Sequence, residues 1–442
     1  MNAKNLLLSG FQDFLPERML PRDALVSMTR TCFEKFGFLI QDTPCLERSE
    51  LLLGKYGDNE KLVYSFRDHG NRAVSLRYDL TVPLSRIIKA YADEIIFPYR
   101  RYQIGMVWRA DRPGKGRFRE FMQIDADIVD DDSVLADIEI LILVNYLMET
   151  LGVKVDIRFN CREILDALVE ICQLDASNGI ILMRIIDKFD KIGKPGVLIE
   201  LADAKFSDDV VAKVDNYLEI NGTNNQILLG LTSLLGNAAT FQNGSTRLST
   251  IINLIEQSDP KLINFKIDPT IARGLDYYTG LIFETKLIEN PDFGSVCSGG
   301  RYDHLIQNSS NQFLPAIGLS IGIDRLFSAM ESINKAPAIK TTTKVFIANF
   351  GENFIVEYLR LANELRRANV TVEIFSKPSK IAKQINIANK KKIPFVLLVG
   401  SDEISQSQVL LKDMNTGIQT AVERDDVVAA ILKCLDGHLL II

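Results

Sequence analysis

The chain is poor in the residues and patterns that mark several common chemistries. Only three histidines occur in 442 residues, His69, His304 and His438. None lies near enough to another to suggest metal ligation, and a surface or hydrogen-bonded structural role is expected of each. The six cysteines (Cys32, Cys45, Cys161, Cys172, Cys297, Cys434) form no CxxC pair, which favours free thiols in a reducing compartment over a disulfide frame or a zinc site. No GxxxxGK[ST] loop occurs, so ATP, if bound, is not held by a P-loop. No Gly-rich fingerprint follows the first strand of the C-terminal portion, which leaves a nicotinamide site unsupported. The longest apolar-rich run, Ile138–Met148, is broken by Glu139 and Asn145 and suits a buried helix rather than a membrane span. The opening MNAKNLLLSG lacks the basic and long apolar regions of a secretory signal, so a cytoplasmic location is expected. A net charge of −6 speaks against a DNA-coating protein, and any nucleic-acid contact has to come from local basic patches.

What is present is a globular composition, 47% hydrophobic and 24% charged, in a chain long enough for two to four domains. Residues 10–40 open with GFQDFLPE and continue as an amphipathic helix through SMTRTCFEKFGF, with Gly37 placed to end it. A short strand and Pro44 follow. In 74–91 (VSLRYDLTVPLSRIIKAY) a strand is expected to end near Arg77, with a helix starting around Pro83. Asp79 and Thr81 stand at that junction, where they can either cap the helix or meet a ligand.

Residues 100–129 predict an antiparallel hairpin with a Gly/Pro/Lys/Arg tip, ADRPGKGR. Along its second strand Met122, Ile124, Ala126 and Ile128 alternate with Gln123, Asp125 and Asp127, so the polar set is expected to face solvent or a ligand. Between Arg100 and Glu120, seven cations (Arg100, Arg101, Arg109, Arg112, Lys115, Arg117, Arg119) stand against Asp111 and Glu120. That local excess of five suits either a polyanion or a solvated basic hairpin. A helix over 133–151 and a strand over 151–160 are expected next. From about 161 to 264 the pattern is one of successive amphipathic helical segments without a catalytic constellation.

The densest polar recognition groups lie at 271–280, IARGLDYYTG, ahead of the strand-like LIFET. Phenols at 277 and 278 can hydrogen-bond a small planar ligand while Arg273 holds an anion; a tight turn with packed tyrosines is the plainer alternative. In VCSGGRYDHLI (296–306), Gly299 and Gly300 permit close backbone approach. PAIGLSIGIDRLFSAM (315–330) reads as a small-residue strand leading into a helix that carries Arg325. After a linker at 331–343, strands and helices alternate to form a small α/β domain. Its segment 376–392 holds six lysines and no acid.

RGLDYYTG, taken with GMVWRADRPGKGRFREF, GGRYD and the 315–330 segment, closely resembles the class II histidyl-tRNA synthetases over nearly the whole chain. The resemblance implies an α+β catalytic core at 1–330, a class II antiparallel sheet with flanking helices. A helical insertion at about 161–264 and a C-terminal α/β anticodon-binding domain at 344–442 complete the expected fold. It implies activation of L-histidine by ATP, with Mg²⁺ on the phosphates, and transfer of the histidyl group to tRNA(His). It also implies a homodimer built through the 10–45 segment, with neither membrane nor DNA as partner. By the same match Arg109 would fork onto the α-phosphate and the substrate carboxylate, and Arg273 would stabilise the α-phosphate. Asp111, Arg117 and Arg325 would hold ATP, the latter two at its terminal phosphates. The segment Asp79, Leu80 and Thr81 would contact the amino acid, with Asp79 facing its α-ammonium. Gln123, Asp127, Tyr277 and Tyr278 would line the histidine pocket. GFQDF at 10–14 departs from the GTRDF-like form of the family, which puts the role of that turn in doubt. A different class of reading is a histidine-binding regulatory paralogue of ATP phosphoribosyltransferase. Such paralogues generally lack the anticodon-binding domain and have eroded catalytic motifs.

Overall fold

The structure is a computed structural model that describes residues 6–54, 57–114, 116–272, 278–377 and 379–439, except for the side chains of 57–59 and 437–439. Arg273, Tyr277 and Lys115, named above, lie outside the described residues, as does the His438 side chain. The chain divides into two compact units, Met1–Asp13 with Leu25–Ala336, and Phe14–Ala24 with Pro337–Ile442.

The first unit is organised by an eight-stranded sheet. Its spatial order is Leu39–Ile40, Tyr99–Trp108, Glu120–Val129, Ala316–Gly322, Ser295–Arg301, Leu281–Leu287, Val155–Cys161, Phe265–Ile267. The outermost pair at each edge is parallel and every other pairing antiparallel, so the expected α+β core with an antiparallel sheet is what the chain forms. The hairpin read from 100–129 is its longest ladder, running from Tyr99 opposite Val129 to Trp108 opposite Glu120. One face packs on the helix Val134–Thr150, whose Ile140, Leu141, Val144 and Leu147 are fully buried with Ile124, Ala126 and Ile128. Ser133 caps that helix by accepting from the Ala136 amide, which satisfies one of its orphan donors. The helix Pro16–Lys35 ends before Gly37, whose φ of 78° is the left-handed geometry expected after a helix C-terminus.

The stretch after Cys161 folds into six helices, Arg162–Ile171, Ala176–Ile186, Phe189–Asp203, Asp208–Leu218, Asn224–Leu235 and Phe241–Ser258. Two of their side chains lead back to the sheet. Asn224 donates to the Phe265 carbonyl (3.1 Å) and accepts from the Ile267 amide (2.9 Å). The fully buried Tyr217 hydroxyl donates to the Pro269 carbonyl at 2.7 Å. Asn160 also donates to that carbonyl, at 3.0 Å, and to Ile271 O at 3.1 Å. Tyr217→Phe is therefore expected to cost only about 1 kcal/mol, because Asn160 keeps the acceptor partly satisfied. Urea unfolding followed by far-UV circular dichroism checks it, and a loss of several kcal/mol would mean the hydroxyl is the main anchor of the segment.

The second unit contains a five-stranded sheet in the order Val372–Ile374, Val345–Ile347, Phe395–Leu398, Gln408–Asp413, Gln419–Glu423. The first three strands are parallel and the last two antiparallel additions. Helices Ile355–Arg367 and Ile381–Lys390 make the crossovers, and Val427–Leu439 closes the chain. Among the described residues no helix is long and apolar enough to cross a membrane.

Candidate active site

The hairpin, the strands Ser295–Arg301 and Ala316–Gly322, and the start of the helix Thr81–Tyr91 surround an open cleft of about 480 Å³. Asp79, Thr81, Arg109, Asp111, Arg117, Gln123, Asp127, Tyr278 and Arg325 all line it. Residues from Asp79 to Arg325, distant in sequence, are thus gathered into one site. Leu80 does not line the cleft. It is fully buried, and its carbonyl accepts from the Arg101 guanidinium at 3.1 Å. The Leu80 side chain is enclosed in the core, so its part in the segment assigned to the amino acid rests on the resemblance alone.

Asp79 carries out its plainer role and can serve the other as well. Its Oδ1 accepts from the amides of Thr81 (3.2 Å) and Val82 (3.0 Å), capping the helix, while the residue remains part of the cleft wall. Arg109 is held in a fixed pose. Its Nε donates to the Tyr78 carbonyl (3.0 Å) and its Nη2 to Gln123 Oε1 (3.2 Å). The guanidinium lies 4.4 Å from the Tyr78 ring centroid and 5.2 Å from that of Phe121. Two aromatic faces and two hydrogen bonds fix the plane of the fork. Arg325, also on the cleft, donates to Phe293 O and Ser295 O, both at 2.7 Å, with its guanidinium over the Phe293 ring. Asp324, its neighbour, accepts from the Met122 amide at 2.8 Å, tying that helix start to the hairpin.

The floor is more deeply buried than the sequence pattern suggested. Gln123, Asp125 and Asp127 share one face of their strand as expected, yet each is almost fully buried. Arg101, directly across the ladder from Asp127 and completely buried, forms an ion pair with its Oδ2 at 2.7 Å. Asp127 Oδ1 accepts from the Tyr302 hydroxyl. Burial pushes the Asp127 carboxyl above its usual range, opposed by Arg101 and the Tyr302 hydrogen bond. Asp125 is pushed up to about 7, first by burial and then by the charge of Asp127. Gly318 makes room for this arrangement: a Cβ there would stand 2.0 Å from Asp127 Oδ1. Gly300 likewise lets Tyr278 lie against the strand, since a Cβ would come 2.9 Å from its ring.

The basic hairpin is partly structural. Besides Arg101, Arg100 pairs with Glu139, and Arg119 donates to the carbonyls of Asp111 (3.0 Å) and Ser9 (3.3 Å). Among the described residues of that set, Arg109 and Arg117 are the cations that line the cleft. In GGRYD, Arg301 turns away to a buried pair with Asp137 at 2.7 Å, while Tyr302 lines the cleft. Tyr78, Arg101, Phe121 and Asp125 were missed by sequence reasoning. The hairpin register alone places Arg101 opposite Asp127, and the alternation that selected Gln123 and Asp127 also contains Asp125.

The family model described as "Histidyl-tRNA synthetase" matches residues 10–326. The chain belongs to the histidyl-tRNA synthetase family. A second family model, described as "Anticodon binding domain", matches residues 344–434. The chain is 38% identical to the histidine–tRNA ligase of Clostridium tetani, over 97% of this chain and 98% of that relative. The crystal structure of the histidyl-tRNA synthetase of Nostoc sp. PCC 7120 superposes with a TM-score of 0.85 at 29% identity, covering 97% of this chain and 99% of that one. A Bacillus halodurans structure titled as an ATP phosphoribosyltransferase regulatory subunit/histidyl-tRNA synthetase shares the fold. Its TM-score is 0.71 at 19% identity, over 87% of this chain and 96% of that one. As a member of the synthetase family the chain carries both family segments.

Proposed function

We propose that this chain activates L-histidine with ATP and transfers the histidyl group to tRNA(His), acting as a homodimer in the cytoplasm. The observation that carries the reading is the fixed guanidinium of Arg109 set over the Gln123–Asp127 floor, with Arg117 and Arg325 on the same cleft. Activation joins a carboxylate oxygen of histidine to the α-phosphorus and breaks its bond to the bridging oxygen of pyrophosphate. Anions must be brought together, so a site of this kind needs cations placed before the substrates arrive. Arg109 faces the reacting carboxylate and α-phosphate in this reading, and Arg117 and Arg325 the outer phosphates, with Asp111 beside them. Arg273 takes its part from the sequence match alone.

The acidic floor suits the amino acid. In this reading Asp79 faces its ammonium, Gln123, Asp127 and Tyr278 line its pocket, and Tyr277 is assigned by the sequence match. An analogue without the ring N–H would leave buried polar groups unpaired, a penalty of roughly 10⁴-fold in sites of this kind. Among the described residues no group of three or more His, Cys, Asp or Glu stands together as a metal site. Mg²⁺ therefore fits best as an ion carried on the nucleotide's phosphates and water, where it would neutralise phosphate charge. The C-terminal unit, with its lysine-rich 376–392 segment, is assigned to the anticodon arm. The helices of 162–258 are assigned to the acceptor arm.

Amino-acid-dependent ATP–pyrophosphate exchange, run separately with all twenty amino acids, tests this. Exchange with histidine alone is expected, and Asp127→Ala with Tyr278→Phe should abolish most of it. Exchange with another amino acid would overturn the substrate, and silence with all twenty beside measurable histidine binding would overturn the activity. A monomer in light scattering at micromolar concentration would remove the dimer.

A further inference from the structure

We infer that Asp125 is a positioning residue for amino-acid activation, its carboxylate holding the Gln123 amide in one orientation so that Gln123 holds the Arg109 guanidinium in the cleft. This rests on the reading that Arg109 and Gln123 meet the reacting amino acid. Asp125 is 1% exposed and is not part of the cleft lining, so whatever it does for substrate it does through a neighbour. That neighbour is defined by geometry. Gln123 Nε2 donates to both Asp125 oxygens, at 2.8 and 3.0 Å, while Gln123 Oε1 accepts from Arg109 Nη2 at 3.2 Å.

A glutamine amide has two faces of opposite character, and only one arrangement satisfies both partners. Turned over, the amide would set its oxygen against a carboxylate and its N–H groups against a guanidinium. An ionised aspartate accepts with both oxygens and donates with neither, so it enforces the productive orientation. Asparagine fills the same volume but can present its own N–H₂, which permits the inverted pair. The groups facing Asp125 from the packed strands are Asp127 on its own strand, Arg101, Ser320 and Cys297. Gln103, directly opposite, donates away to Asp42 and Thr43. Asp127, Ser320 and Cys297 line the cleft as Gln123 does, but Gln123 is the neighbour of Asp125 that in turn holds the Arg109 guanidinium. Burial works against keeping a charge here, and the orientation of Gln123 is what that charge supplies.

The test is a double-mutant cycle in histidine-dependent ATP–pyrophosphate exchange, using Asp125→Asn, Gln123→Met and the double variant. Asp125→Asn in the parent is expected to lower kcat/KM for histidine about tenfold to a hundredfold, the scale of a small misplacement of a reacting group. In the Gln123→Met background the same change should alter it less than twofold, because the link is gone. Equal losses in both backgrounds would overturn the relay, since a purely structural role multiplies through. An unchanged kcat/KM in Asp125→Asn would overturn it too. No effect of Gln123→Met would instead overturn the underlying reading of Gln123. Should Asp125→Asn fail to fold, the pH profiles of the parent and Gln123→Met decide. The parent should gain kcat/KM as Asp125 ionises near pH 7, and Gln123→Met should lack that limb while keeping the one owed to the substrate imidazole. Identical profiles would refute the relay.

Discussion

Replacing Arg109 by alanine is expected to lower kcat/KM for histidine-dependent ATP–pyrophosphate exchange by about 10²–10³, with little change in stability. The magnitude is that of removing one preorganised charged donor from a developing anion. The side chain is only partly buried and its hydrogen bonds end on Tyr78 O and Gln123, so truncation leaves no buried charge behind. Arg109→Lys should recover less than a tenth of the lost activity. Lysine keeps the charge but has no planar fork to lie between the Tyr78 and Phe121 rings, 4.4 and 5.2 Å away, and cannot engage two oxygens side by side. Exchange kinetics at several ATP and histidine concentrations measure both variants. If the lysine variant retained activity within tenfold of the parent, Arg109 would be acting as a point charge and the aromatic slot would be incidental.

The legibility of this site in the sequence depended on whether a residue's role was local. The hairpin followed from strict alternation on both sides of a Gly/Pro-rich tip, and Gly299, Gly300 and the 315–330 segment from their small residues. The helices of 162–258 followed from amphipathic spacing. The polar cleft-lining side chains Gln123 and Asp127 were found with the hairpin, and the aromatic Phe121 beside them was not. Arg101 was hidden because seven cations in one stretch read as a basic surface, although one of them faces an acid across the ladder. Leu80 was assigned with Asp79 and Thr81 through the resemblance, and its side chain is fully buried in the fold. In the C-terminal unit the strand Gln419–Glu423 is an exposed edge with hardly any apolar alternation, so nothing in its residues marked it. Of the RGLDYYTG signature, Tyr278 is placed on the cleft by the fold, while Arg273 and Tyr277 rest on the resemblance.

Arg101→Ala should destabilise the first unit by about 3–5 kcal/mol, the cost of removing one partner of a buried ion pair. The guanidinium is wholly enclosed, and its Nη2 bridges Asp127 Oδ2 at 2.7 Å and the Leu80 carbonyl at 3.1 Å. Without it, Asp127 retains the Tyr302 hydroxyl among the described residues, next to Asp125, whose own carboxyl already sits near 7. Both folded-state pKa values then lie above those of the unfolded chain, so the folded state binds protons more tightly. The linkage sign follows: stability is greatest below the unfolded value near 4 and falls as pH rises through the raised folded values. The deficit of Arg101→Ala should accordingly shrink as pH falls, as Asp127 becomes neutral and its unpaired charge disappears. The single tryptophan, Trp108, stands at the end of the strand that carries Arg101. Its fluorescence in urea titrations at a series of pH values therefore reports on this unit. A deficit independent of pH would mean that the loss comes from the emptied volume rather than from the stranded carboxylate.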